Sequence, residues 1–194
     1  MPVLPDGTDG ATALNLVSTI AHDGNGGVRD DFATDDLVNA WIAERFPDLP
    51  PCNPAEADEL RYLRLAARSA FAAAVSPHPP SRVERRNRMS DTEAGETLTT
   101  AIEGLRAETA VTVDDRGVHR VLTTRATGQT LLKGTLALAT ADFLTGPLAA
   151  KLRSCQAPRC VRYFVQDHGR QQWCKTACGN RARAARFSQR RLAR

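Results

Sequence analysis

The chain has 194 residues, of which 42% are hydrophobic and 25% charged, a composition typical of a globular protein with one medium-sized domain and a small appendage. No apolar run reaches the roughly 18 residues that a membrane-spanning helix requires. The start, MPVLPDGTDG, lacks the basic and apolar regions of a signal peptide. We therefore expect a cytoplasmic protein without a membrane partner, whose cysteines stay reduced.

The net charge of +4 is unevenly distributed along the chain. Residues 151–194 contain twelve basic residues and one acidic residue, Asp167, a formal charge of +11, whereas residues 1–150 carry −7. Such an asymmetry is typical of a protein that binds a polyanion. The alternative is that the basic segment pairs with the acidic body of the same chain.

Local patterns predict a mainly α-helical N-terminal domain after a disordered segment at residues 1–10. Helices are predicted at 11–22, 34–46, 56–75, 91–105 and 129–144. In the second of these, Leu37, Trp41 and Ile42 are the expected buried stripe. Residues 109–124 alternate with period two around Asp-Asp-Arg-Gly, which predicts a β-hairpin.

The helical domain is predicted to span residues 11–146, with Gly146-Pro147 as the hinge into a second domain at 147–194. The basic stretch 82–88 is interpreted as a solvated helix face rather than a ligand-binding patch. The titratable candidates for catalysis are His22, Asp23, Asp30, Asp31, His78 and His119. No nucleophile motif, phosphate-binding glycine loop or H-E-x-x-H helix accompanies them, so we do not expect an enzyme. A pocket among the helices would suit a small-molecule effector.

Four of the five cysteines are grouped in the second domain with the spacing C-x4-C, thirteen residues, C-x3-C. They are Cys155, Cys160, Cys174 and Cys178. Two close pairs separated by a short insert are typical of a zinc site, because Zn²⁺ takes four tetrahedral ligands. We therefore predict one structural zinc ion. Two disulfides, which would suit a secreted protein, and His168 as a replacement ligand are the alternatives.

The spacing also predicts the local fold around the metal. A knuckle at 155–160, short strands at 162–165 and 171–174, and a helix from about residue 175 would form a treble-clef-like finger. Bases close to a zinc site of four thiolates, with its formal charge of −2, would stabilise it, whereas small or amide side chains would let the helix pack on the knuckle. The residues assigned to these supporting roles are Arg159, Lys175, Gly179, Asn180 and Arg181.

The second domain resembles the CGNR zinc-finger family, which is named for the tetrapeptide that begins here at Cys178. The resemblance includes the first cysteine pair, Tyr163-Phe164, Trp173-Cys174 and the arginine-rich segment that follows. It implies a zinc-bound, nucleic-acid-binding module, which in that family usually follows a helical ABATE domain of proposed stress-related transcription regulators. The opening ALNLVSTIAHDG and the helix with Trp41 resemble that domain as well.

A helical projection of residues 178–194 places the arginines opposite Cys178, Ala182, Ala185 and Leu192. The predicted nucleic-acid contacts are Arg183, Arg186, Arg190, Arg191 and Arg194. Guanidinium groups bind phosphates bidentately, and such a helix fits the major groove, so we expect a bacterial-type regulator that binds duplex DNA. The N-terminal domain would sense an effector or form a homo-oligomer. An RNA-binding protein, a protein-interaction module and a solvated helix without a partner are the alternatives.

Overall fold

The computed structural model describes residues 3–25, 27–115 and 117–192. The helices in these ranges are α1 Ala11–Val17, α2 Asp35–Arg45, α3 Pro54–Ala74, α4 Asp91–Gly104, α5 Gly128–Thr145 and α6 Thr176–Leu192, with a 3-10 turn at Ala149–Lys151. The strands are β1 Ile20–His22, β2 Val28–Asp30, β3 Glu108–Asp114, β4 Gly117–Thr123, β5 Leu152–Ser154 and β6 Tyr163–Val165. They pair as antiparallel hairpins β1–β2, β3–β4 and β5–β6. The prediction of a mainly α-helical chain with a hairpin is confirmed.

The core lies between α3 and the helices that pack around it, α1, α4 and α5. α3 begins with a capping box, in which Asn53 and Glu56 each accept a hydrogen bond from the other's backbone N–H. Its buried face includes Leu60 and Phe71, and the Phe71 ring lies 5.5 Å from that of Phe143 on α5. None of the described helices is long and apolar enough to cross a membrane.

The first predicted helix is shorter than expected. α1 ends at Val17, and Ile20–His22 forms β1 instead of a further helical turn. The Thr19 hydroxyl donates to the Leu16 carbonyl at 2.7 Å, which satisfies a carbonyl at the helix end, and the strand then pairs with β2. Leu37 on α2 is 45% exposed, and Val38 is buried beside Trp41 and Ile42 instead.

The expectation of disorder at residues 1–10 is wrong for residues 3–10. Leu4 is buried, and its N–H donates to the Leu122 carbonyl at 2.8 Å. Val3 forms a β-bridge with Thr123, so the segment pairs with β4. Gly7 lies so close to α5 that a Cβ there would be 2.5 Å from the Ala139 Cα. Residues 1 and 2 lie outside the described ranges.

The chain after Gly146, which was predicted as the hinge into the second domain, returns to the core of the helical domain. Leu152 of β5 and Tyr163 of β6 are buried in the same core as α3, and the Tyr163 ring lies 5.3 Å from that of Phe71. Val165 of β6 packs against this core as well, whereas Phe164 packs against the cysteine cluster, so one face of the β5–β6 hairpin lies on the helical domain. The finger is thereby held against that domain.

Candidate metal centre and nucleic-acid interface

The four cysteines of the second domain meet at one point. Cys155 follows β5 and Cys160 precedes β6, so both lie in the knuckle at the tip of this hairpin. Cys174 precedes α6 and Cys178 lies in its first turn. All four sulfur atoms lie within 4.8 Å of one another, and the 160–174 and 174–178 pairs are 3.7 Å and 3.6 Å apart.

These distances fit a single zinc ion. A tetrahedral site with zinc–sulfur bonds of about 2.3 Å has sulfur–sulfur edges of about 3.8 Å. A disulfide requires about 2.05 Å, and all five cysteines are free thiols. The donor set is complete with four cysteines, and His168 is not part of it. The site therefore corresponds to one structural zinc, as the spacing predicted.

The thiols perturb one another because they are packed so closely. Hydrogen bonds from Cys160 and Cys174 lower the pKa of Cys155 to about 3. Hydrogen bonds with Cys155 and Cys160, together with burial, raise the pKa of Cys174. A bound dication would hold all four as thiolates.

The local fold that positions the cysteines differs in part from the prediction. β6 pairs with β5, in the register Leu152 to Val165, rather than with residues 171–174. The Gln166 side chain donates to the Gln171 carbonyl at 2.9 Å, which holds the loop before Cys174 without a strand. Within the knuckle, Cys160 N–H donates to the Ala157 carbonyl at 3.0 Å.

Arg181 is the base that touches the metal ligands. Its Nη2 donates to the Cys178 Sγ at 3.1 Å. Gly179 is needed for close packing, since a Cβ there would lie 3.1 Å from the Trp173 Cδ1. The supporting roles assigned to Arg181, through its charge, and to Gly179, through its small size, stay predictions.

Arg159, Lys175 and Asn180, which were predicted to support the metal site, have exposed side chains. Arg159 and Lys175 are exposed, and no hydrogen bond in the described ranges joins either side chain to a sulfur. Arg159 has a left-handed backbone with φ 68°, and its side chain lines a hollow outside the metal site. Asn180 is exposed and accepts a hydrogen bond from Arg183 on the same helix, so it does not tie the helix to the knuckle.

α6 separates a buried face from an exposed basic face. Cys178, Gly179 and Ala182 are buried, whereas the predicted contact residues on the helix are exposed. The exposed ones are Arg183, Arg186, Arg190 and Arg191, and we call them the arginine face. Leu192, predicted on the same side of the helix as Cys178, is 88% exposed, because the buried face of α6 ends at Ala182 among the described residues. Arg194 lies outside the described residues.

Within the described residues, no acidic side chain neutralises the arginine face. Arg191 lies 5.9 Å above the Phe187 ring and Arg186 lies 6.0 Å from the Trp173 ring, so their contacts are aromatic. No ion pair among residues 151–192 and the acidic residues of the helical domain is present in the described ranges. The guanidinium groups are therefore available to an external anion.

A hollow of about 390 Å³ lies where α6 begins. Arg170, Lys175 and Arg183 contribute its positive charge, and Trp173 contributes an aromatic wall. Arg170 was not among the predicted contacts. In the sequence, Arg170 contributes only to the basic charge of residues 151–194, and that count does not show where its side chain lies.

A larger hollow of about 750 Å³ lies between α3, α4 and α5. Its lining is acidic, with one lysine, and includes apolar side chains. The charged and aromatic lining residues are Asp58, Glu59, Tyr62, Glu93, Glu96 and Lys133. Lys133 pairs with Glu59, and the Tyr62 hydroxyl donates to Glu93 at 2.7 Å.

Comparison with known families accounts for both parts of the chain. The ABATE model, described as "Putative stress-induced transcription regulator", matches residues 10–147. The CGNR zinc-finger model matches residues 151–191, which include the four cysteines and most of α6. No curated protein matched the chain. The chain belongs to the ABATE family and carries a CGNR zinc finger after its ABATE domain.

Proposed function

We propose that this protein is a transcription regulator that binds duplex DNA through its zinc finger and the arginine face of α6. The observation that carries the proposal is an exposed row of guanidinium groups on a helix fixed at its first turn by Cys178. α6 contains no acidic residue, so nothing on the helix opposes a polyanion. Arginine binds phosphate bidentately, which suits recognition of the DNA backbone.

The zinc ion has a structural role in this proposal. Its four positions are all taken by cysteine, which leaves no open position for a substrate or an activated water. We therefore propose a protein without enzymatic activity, in which the metal holds α6 against the knuckle. Removal of the metal would remove the binding surface with it.

The helical domain is proposed to sense an effector or to mediate homo-oligomerisation. The acidic hollow between α3, α4 and α5 supports an effector with a positive charge and an apolar part, because both features are matched by its lining. Val111, Val113 and Val118 on the β3–β4 hairpin are each more than 60% exposed, which supports contact with a second copy. Thermal-shift screening with cationic and anionic metabolites tests the sensing role. Comparison of the molecular mass in solution of wild type and Val113→Asp tests the oligomerisation role.

Salt dependence of duplex binding tests the main proposal. We expect steep weakening with salt, since each phosphate contact contributes about 0.9 to the slope of log K against log [salt]. Arg183→Ala/Arg190→Ala should weaken binding and reduce the slope by about 2. Arg45→Ala/Arg125→Ala removes the same charge from the helical domain and is the control. An arginine-face variant with wild-type affinity and slope would contradict the assignment.

Matched RNA and DNA duplexes of one sequence separate the nearest alternative. A deep, narrow RNA major groove does not admit a helix, so preference for RNA would require a different mode of contact. Failure to bind any nucleic acid at low salt would favour a protein-interaction module with an acidic partner. If the protein does prefer duplex DNA, selection of bound genomic sequences, with Cys178→Ser as the control, would identify the target sequence.

A further inference from the structure

A second basic surface lies between the helical domain and the finger. It is a hollow of about 430 Å³, which we call the arginine hollow. Its four cations are Arg82, Arg85, Arg86 and Arg159. No carboxylate lines it, and none of the four arginines forms an ion pair in the part of the chain that the structure describes.

The turn that supplies three of these arginines is oriented by its one acidic residue. Glu84 has a side chain only 1% exposed and forms an ion pair with Arg68, which is equally buried. The Tyr163 hydroxyl donates to the same carboxylate at 3.0 Å. Because the carboxylate is inside, it does not neutralise Arg82, Arg85 and Arg86 at the surface.

The finger is fixed to this turn through backbone and side-chain hydrogen bonds. The Val161 carbonyl, next to a zinc ligand, accepts from Arg68 Nη2 at 3.0 Å and from the Ser81 hydroxyl at 3.1 Å. Arg85 donates to Gln156 in the knuckle at 2.7 Å. Arg159, in the same knuckle, is thereby held beside the arginines of the helical domain.

We propose that the arginine hollow is a second phosphate-contact surface for the duplex that the arginine face binds. Four guanidinium groups that share one hollow repel one another, and a phosphodiester backbone relieves that repulsion through bidentate hydrogen bonds. The hollow adjoins the knuckle, and Cys160 of the knuckle meets Cys174 and Cys178 at the start of α6. The two basic surfaces therefore flank one zinc site, and the ABATE domain itself contributes to DNA binding.

This inference rests on the proposed function, and paired variants of the full-length zinc-loaded protein test it. Arg82→Ala/Arg86→Ala removes two hollow cations but spares Arg85, which has a structural partner. We expect its Kd for duplex DNA to rise about tenfold and its salt slope to fall by about 2, as for loss of two phosphate contacts. Arg88→Ala is the control for the single variant Arg86→Ala. It removes a nearby charge that pairs with Asp91 and does not line the hollow, so its DNA affinity should equal that of wild type.

The outcomes separate the inference from the function on which it rests. If wild type binds and Arg183→Ala/Arg190→Ala weakens binding, but Arg82→Ala/Arg86→Ala keeps wild-type affinity and slope, the hollow is not a DNA contact. If wild type binds no duplex at low salt, both proposals fail.

A measurement on the unaltered protein covers the case in which a variant does not fold. Arginine modification by phenylglyoxal, mapped by mass spectrometry with and without duplex DNA, reports which guanidinium groups are covered. We expect protection of Arg82, Arg86 and Arg159 together with Arg183. Protection of Arg183 alone would overturn the inference.

Discussion

Arg181 is the base in direct contact with the zinc ligands. Its Nη2 donates to Cys178 at 3.1 Å, and its Nε is buried without a hydrogen-bond partner among the described residues. The guanidinium is partly buried, and a zinc ion with four thiolate ligands has a formal charge of −2, which a nearby positive charge offsets. We therefore expect Arg181 to stabilise the metal-bound form in preference to the free thiols.

Replacement of this residue should weaken zinc binding. We expect Arg181→Ala to lower zinc affinity about 10- to 100-fold, the usual effect of removing a group that hydrogen-bonds a metal ligand. Competition with a chromophoric chelator measures it. Arg183→Ala, which removes an exposed arginine from the same helix, should keep wild-type affinity. Equal affinities for the two variants would refute the role of Arg181.

At this scale the sequence predicts the ligands but only part of their surroundings. Four cysteines at this spacing suffice for the zinc, because metal chemistry demands those atoms. The positions of Arg159 and Lys175 depend on backbone conformation, such as the left-handed φ of 68° at Arg159, which no spacing rule gives. Arg181 follows from simple helical geometry, since it lies three residues after Cys178 on α6.

At the scale of elements, the conformation and role of residues 82–86 depend on tertiary contacts that the sequence does not reveal. The sequence suggested a solvated helix face, and the structure has a turn with Glu84 buried against Arg68. A single acid among arginines was the available signal, but its partner lies sixteen residues away on α3. Local pattern alone could not identify that pairing.

Breaking this pair should cost substantial stability. Glu84→Ala leaves Arg68 buried and uncompensated, and loss of one partner of a buried pair costs about 3–5 kcal/mol. Chemical denaturation monitored by circular dichroism gives the free energy of unfolding. Glu103→Ala removes an exposed acid and should change it by less than about 0.5 kcal/mol. A Glu84→Ala protein as stable as this control would show that the pair contributes nothing.

At the scale of the whole molecule, two clusters of buried residues have different sources of stability. The larger one consists mostly of buried apolar side chains of α1–α5 and includes Leu152 and Tyr163. The smaller one consists of three of the zinc ligands and Ala157, with Trp173 packed against it. The first is held by apolar burial, whereas the second has too little apolar surface to persist without a metal. The base of the β5–β6 hairpin belongs to the first cluster and its tip to the second.

Zinc removal should therefore unfold the finger and leave the helical domain folded. After chelation we expect trypsin to cleave rapidly at Arg183, Arg186 and Arg190 on α6, while Arg64 and Arg68 on α3 stay protected, because one is 6% exposed and the other fully buried. Circular dichroism should lose the signal of about one 17-residue helix, α6. Cys178→Ser should show the same cleavage without chelator. Rapid cleavage of α3 upon chelation would instead mean that the metal stabilises the whole chain, and that the two clusters unfold as one.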